Sequence, residues 1–149
     1  MDRGPADPGP MDHLAILKPR YLDAILDGRK TIECRLMRNR VPPFGLVRPG
    51  DRIFLKDSGG PIRGVARAAA VRDLSGLTPA SILDLEREFN GRVLGDAEFW
   101  RKKAGARYGT LIWLGGVSPW AGECRHGRRG ARSAWIAGIR AGKARAATV

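Results

Sequence analysis

The chain has 149 residues, 43% of them hydrophobic, with 27 Lys and Arg against 15 Asp and Glu and a formal net charge of +12. That length suits one domain with its own core. Two cysteines, Cys34 and Cys124, exclude a disulfide framework and a cysteine-based metal site, and no apolar run approaches the roughly 20 residues of a membrane-spanning helix.

Residues 1–12 carry three prolines, two glycines and three aspartates and no apolar pattern, and read as a disordered leader. They lack the basic start and apolar stretch of a secretory signal, so a reducing, cytoplasmic setting is expected. His13 to Leu17 reads as a short buried strand. Pro19 then suits the first position of a helix whose apolar face holds Leu22, Ile25 and Leu26, with Gly28 beyond its end. Lys30 to Leu36 reads as a strand. Strict alternation turns Ile32, Cys34 and Leu36 toward the core and Thr31, Glu33 and Arg35 the other way.

Val41 to Gly45 contains paired prolines and cannot be a central strand. Further strands are expected at Arg52–Lys56 and Ile62–Val71, joined by the tight Asp57-Ser-Gly-Gly-Pro61 connection. Thr78 caps a helix that starts at Pro79, carries Ile82, Leu85 and Phe89 on one face and stops at Asn90-Gly91. A second short helix runs from Asp96 to Lys103, with Phe99-Trp100 stapling it to the sheet. Tyr108 to Leu114 is the last strand. The expected fold class is α+β: a small barrel of about five to six strands with two or three short flanking helices.

The ordered domain is thus expected over residues 13–120. Residues 121–149 hold seven basic side chains, one acid and a single aromatic, Trp135, and read as a basic, disordered tail that is dispensable for folding. Its Arg125, Arg128, Arg129 and Arg132 suit a non-specific nucleic-acid hook. Within the domain, residues 28–72 concentrate eleven basic side chains against three acids. Such a stripe attracts polyanions.

The chemistry concentrates in Gly28-Arg-Lys-Thr-Ile-Glu-Cys-Arg35. Glu33 and Arg35 are two apart on a strand and share a face; Lys30 joins them only if the Gly28 turn swings it round or a bulge breaks the register. An Arg fork and a Lys point charge suit phosphate, and a carboxylate accepts from the amino group of a base. As exposed strand residues, the three should each be replaceable by Ala with impaired ligand handling and a stability loss under about 0.5 kcal/mol; without a ligand role they would be an ordinary solvated face.

The octet has the form G-x-K-x-x-E-x-R and resembles the signature of ASCH domains, relatives of PUA and EVE domains. The setting is similar too: the helix Tyr21–Leu26, the Pro42-Pro-Phe-Gly45 loop, Pro49-Gly-Asp51, Ser58-Gly-Gly-Pro61 and the strand Tyr108–Trp113. The resemblance spans about residues 13–118 and implies a PUA-like barrel whose cleft is lined by Lys30, Glu33 and Arg35. It implies RNA or a nucleotide-like ligand as partner; no cofactor is expected, and the isolated His13 and His126 and the short apolar runs give no metal site and no membrane span as expectations. It also raises hydrolase activity, for which Lys30 and Glu33 are the candidate catalytic residues, and a regulatory protein-interaction role. Some ASCH proteins resemble ribonucleases, and a bacterial group acts as amidohydrolases on acetylated cytidine. That group has a threonine nucleophile three positions after the lysine. Glu33 stands there in this chain and cannot repeat hydroxyl attack, which favours ribonuclease over amidohydrolase chemistry.

Asp57 and Ser58, before a Gly-Gly pair where backbone can approach a ligand closely, and Tyr108, a stacking surface, complete the candidate ligand-binding set. Each also has a structural reading: a tight turn for Asp57-Ser58 and core packing for the aromatics of the last strand.

Overall fold

The computed structural model describes residues 9–125 and 134–142. The order of elements is β1 (Asp12–Leu17), α1 (Pro19–Leu26), β2 (Ile32–Met37), β3 (Arg52–Asp57), β4 (Ile62–Leu74), α2 (Pro79–Val93), α3 (Ala97–Lys102), β5 (Tyr108–Pro119), β6 (Cys124–Arg125), β7 (Trp135–Ala137) and β8 (Arg140–Ala141). Six strands make one sheet in the order β2-β5-β4-β3-β1-β7, and β6 and β8 form a separate two-stranded ribbon. β1 runs parallel to β3, and the other neighbours in the large sheet are antiparallel. The register breaks once between β3 and β4 and twice between β4 and β5. Such breaks bend strands and increase twist, and the sheet curls into a half-barrel with three helices, an α+β fold of the expected kind.

Local sequence explains most element ends. Pro19 opens α1, and Gly28, at φ 86°, reverses the chain after it. Thr78 and Ser81 form a reciprocal capping box at α2, the Thr78 hydroxyl accepting the Ser81 N–H at 3.1 Å. Asp96 caps α3 by accepting the Phe99 N–H at 2.7 Å. α2 does not stop at Asn90-Gly91. It continues to Val93, and Leu94 takes the left-handed conformation at φ 58°. Asn90 still contributes to the stop: its side-chain oxygen accepts from Gly95 N at 2.8 Å and its amide donates to Gly95 O at 3.1 Å.

Two main cores lie on the two faces of the sheet. One packs Leu22 and Ile25 of α1 against Ala15, Ile53, Leu55, Ala66 and Ile112. The other packs Ile82, Leu85 and Phe89 of α2 and Trp100 of α3 against Ile32, Cys34, Leu36 and Leu111. The alternation expected for β2 therefore holds for its apolar residues.

Two boundary expectations need correction. Order starts before His13: Asp12 opens β1, and its carboxylate takes two hydrogen bonds from Arg52, at 2.9 and 2.7 Å. At the other end, residues 134–142 are not a tail. β7 pairs antiparallel with β1, Ala15 opposite Trp135 and His13 opposite Ala137, and Trp135, Ile136 and Ile139 are buried. Trp135 joins the α1-side core, while Ile136 and Ile139 pack with Leu14, Phe54 and Ile62. A three-residue strand is too short to show periodicity, and its partner lies at the opposite end of the chain. Arg128, Arg129 and Arg132 of the expected hook lie outside the described residues, as does most of the expected leader. Among the described residues no helix is long and apolar enough to cross a membrane.

Candidate functional site

The Gly28 turn does swing Lys30 inward. The Lys30 backbone N–H donates to Ala24 O at 2.9 Å, and its side chain enters the protein rather than solvent. There the ammonium donates to Ile32 O at 2.9 Å and to Val93 O at 2.6 Å and lies 3.3 Å from Glu33 Oε1. It also sits 5.5 Å from the centre of the Tyr21 ring. All three ammonium hydrogens are thus committed.

Glu33 is the centre of the group. Its Oε1 accepts from the Cys34 N–H at 3.1 Å, and its Oε2 accepts from Arg35 Nε at 3.2 Å and Arg35 Nη2 at 3.0 Å. Burial by itself would raise the carboxyl pKa, but the charges of Lys30 and Arg35, with their hydrogen bonds, outweigh it and hold Glu33 below the ordinary carboxylate value. Lys30 and Glu33 are 3% and 7% exposed. The exposed, solvated face considered from sequence is therefore replaced by a buried ion network.

Arg35 reaches beyond the network. Its Nη2 donates to Ile16 O on β1 at 3.1 Å and its Nη1 to Ala134 O, just before β7, at 3.2 Å. The guanidinium stacks 5.3 Å from the Trp135 ring. β2 and β7 are the two edges of the sheet, so this one side chain laces the open side of the half-barrel. One of its five N–H groups stays uncommitted among the described residues.

These residues line a cavity of about 560 Å³. Tyr21, Phe99 and Trp135 supply aromatic wall, and Lys18, Lys102 and Lys103 supply further positive charge. Its second carboxylate, Glu98, is paired with Lys102 at 2.9 Å. Lys103 is half-buried and has no carboxylate partner among the described residues; burial, then the nearby Arg35 charge, pulls its pKa below the usual lysine value. Cys34, on the same wall, has its thiol pushed up to about 12, chiefly by burial and then by the charge of Glu33. It is not a reactive thiolate.

The cavity brings together Lys30, Glu33 and Arg35, but Asp57, Ser58 and Tyr108 do not line it. Asp57 holds Arg63 through two hydrogen bonds, at 2.6 and 2.8 Å. The Ser58 N–H donates to Leu17 O at the end of β1 at 2.7 Å, and the tight turn closes on itself through Gly60 N–H to Asp57 O at 3.0 Å. Tyr108 packs edge-on to Phe44, with ring centres 5.3 Å apart, and under the Arg40 guanidinium. Sequence reasoning missed Lys103, Tyr21 and Trp135 as cavity residues. Lys103 carried a weak signal as the last charge of a short amphipathic helix, and Trp135 as the one aromatic in a basic segment. Among the described residues no three His, Cys, Asp or Glu side chains group as metal ligands.

The curled six-stranded sheet with helices packed on it and a basic cavity at its open edge is a half-barrel, and its fold is that of solved ASCH structures. The solved structure of ASCH from Zymomonas mobilis is similar at 19% identity and a TM-score of 0.58, over 73% of this chain and 70% of that one. A serine-to-alanine variant of that protein gives 21% identity with the same coverage and TM-score. A tyrosine-to-phenylalanine variant gives 20% over 73% of this chain and 72% of that one, again at 0.58. At this identity the likeness establishes a shared fold. No family model matches the chain, and none of the curated proteins does.

Proposed function

We propose that the chain is an ASCH-family domain that binds RNA or a nucleotide-like ligand in the cavity beside Arg35. The observation that carries this reading is the charge balance of the site. Both carboxylates on the cavity wall, Glu33 and Glu98, are already held by cations, while Lys18 and Lys103 face the same space without a carboxylate partner among the described residues. Surplus positive charge around a cavity favours an anionic ligand. Tyr21, Phe99 and Trp135 offer faces on which a base stacks.

The hydrolase reading has less support. A general base needs a lone pair, and Lys30 has its three hydrogens committed to two carbonyls and a carboxylate. Its role is better described as fixing Glu33, which in turn fixes Arg35.

The test is titration of a short, fluorescently labelled single-stranded RNA with wild type and Lys103→Glu. Wild type should bind with a log–log salt slope of roughly −3 to −4, as expected for about four to six phosphate contacts. The charge reversal should weaken binding and flatten that slope. Equal binding by both proteins, with no salt response, would remove the basis for the proposal.

A further inference from the structure

The main cavity does not end at Lys103. A second depression of about 280 Å³ adjoins it and shares Leu36, Met37, Val41, Lys102 and Lys103 with it. The five shared residues make the two neighbouring compartments of one trough. The second compartment adds Arg38, Asn39 and Ala106, and no carboxylate lines it. Arg38 is placed there by the absence of a side chain opposite: a Cβ at Gly105 would sit 3.0 Å from Arg38 Nη2 and 3.3 Å from Cζ. The guanidinium packs against the turn after α3.

The two compartments differ in chemistry. The first has the aromatic wall, both cavity carboxylates and Arg35, which Glu33 already holds; the second adds a further Arg fork and an amide to the two lysines that line both. A free nucleoside would use the first and leave the second empty. From this division we infer that the site takes a single-stranded nucleotide chain, one base in the aromatic compartment and the next phosphate on Arg38 and Lys103. This inference rests on the nucleotide reading above and specifies its substrate class. An Arg fork grips a phosphate bidentately. Lys103, shared by both compartments, marks where the backbone passes from one to the other.

The experiment compares the four ribonucleosides, their 5′- and 3′-monophosphates and the four homodinucleotides by calorimetric titration. It uses wild type, Arg38→Ala, Arg38→Lys and Lys18→Ala. Arg38 and Lys18 are both exposed, so each variant is expected to fold. Lys18 lines the first compartment alone, so its variant removes the same charge from the other end of the trough. In wild type the monophosphate whose phosphate lies on the Arg38 side of the base should bind about tenfold tighter than its nucleoside, the gain of one charge-assisted pair, and the dinucleotide should keep that gain. Arg38→Ala should abolish the gain without changing nucleoside binding, Arg38→Lys should restore part of it, and Lys18→Ala should leave it in place. A dinucleotide that gains nothing over a nucleoside that binds overturns this inference and leaves the cavity reading standing. A gain lost equally in Arg38→Ala and Lys18→Ala overturns it too, because net charge would then suffice. If no nucleotide binds, both readings fall.

Discussion

The indole N–H of Trp135 donates to Nδ1 of His13 at 3.1 Å, across 122 residues of chain. An indole nitrogen only donates, so His13 accepts at Nδ1 and carries its proton on Nε2, 2.8 Å from Asp51 Oδ2. Asp51 in turn accepts from the backbone of Met11 at 2.9 Å and of Arg48 at 3.0 Å. All three side chains are buried. The chain thus ties its C-terminal strand to β1 and to the Pro49-Gly50-Asp51 turn through one hydrogen-bonded line.

Shortening the chain after Trp120 should therefore destabilise it, contrary to the expectation from sequence. Trp135→Ala alone should cost about 3–5 kcal/mol through the cavity it leaves, and truncation should cost more, since Ile136 and Ile139 are lost with it. Thermal unfolding of the two shortened or substituted proteins checks this. An unchanged midpoint in the truncated chain would show that β7 contributes nothing to the fold.

Glu33→Ala should be far more damaging than the removal of a surface charge. It leaves the buried Lys30 and the adjacent Arg35 without their shared counter-charge, a loss of about 3–5 kcal/mol. Glu33→Gln keeps the shape and one acceptor oxygen and should fall between. Urea unfolding of the three proteins gives the order, and indistinguishable midpoints would refute a buried network.

The same carboxylate sets an acid dependence. Its folded-state pKa lies below the ordinary carboxylate value, so in acid the unfolded chain takes up this proton first. The Glu33 contribution is complete well above the unfolded-chain pKa and is lost as the pH falls through the depressed folded value. The stability difference between wild type and Glu33→Gln should be constant near neutrality and shrink progressively in more acid solution. Exposed carboxylates such as Asp27 and Glu98 are common to both proteins and cancel in the comparison. A difference that does not vary with pH would show that the lost charge is not what separates the two.

Ile32→Ala probes the other face of β2. Ile32 is fully buried against α2, and its truncation should cost about 2–5 kcal/mol. Its tie to the cavity charges is its backbone carbonyl, which accepts from Lys30 and is kept in the variant, so RNA affinity measured well below the unfolding midpoint should stay near wild type. Loss of affinity without loss of stability would place Ile32 on the ligand side and invert the register of the strand.

What the sequence determined by itself is local. Apolar alternation in Ile32-Cys34-Leu36, Pro at the first turns of α1 and α2, and the Thr78 and Asp96 caps are read within a few residues of each other, and they fixed the elements and the fold class. The octet also named the three charges that meet in the cavity: Glu33 and Arg35, two apart on a strand, share a face, and Lys30 joins them through the Gly28 turn. Tertiary structure decided the rest. Whether Lys30 points to water or inward depends on the carbonyls of Ile32 and Val93 being there to receive it. Whether Trp135 is a stray aromatic or a core residue depends on His13, at the other end of the chain. Asp57 and Ser58 look like a ligand loop until Arg63 claims the carboxylate. Lys103 gains its place only when α3 folds over the open edge of the sheet. Burial and charge balance are sums over all neighbours in space, and most of those neighbours are distant in sequence.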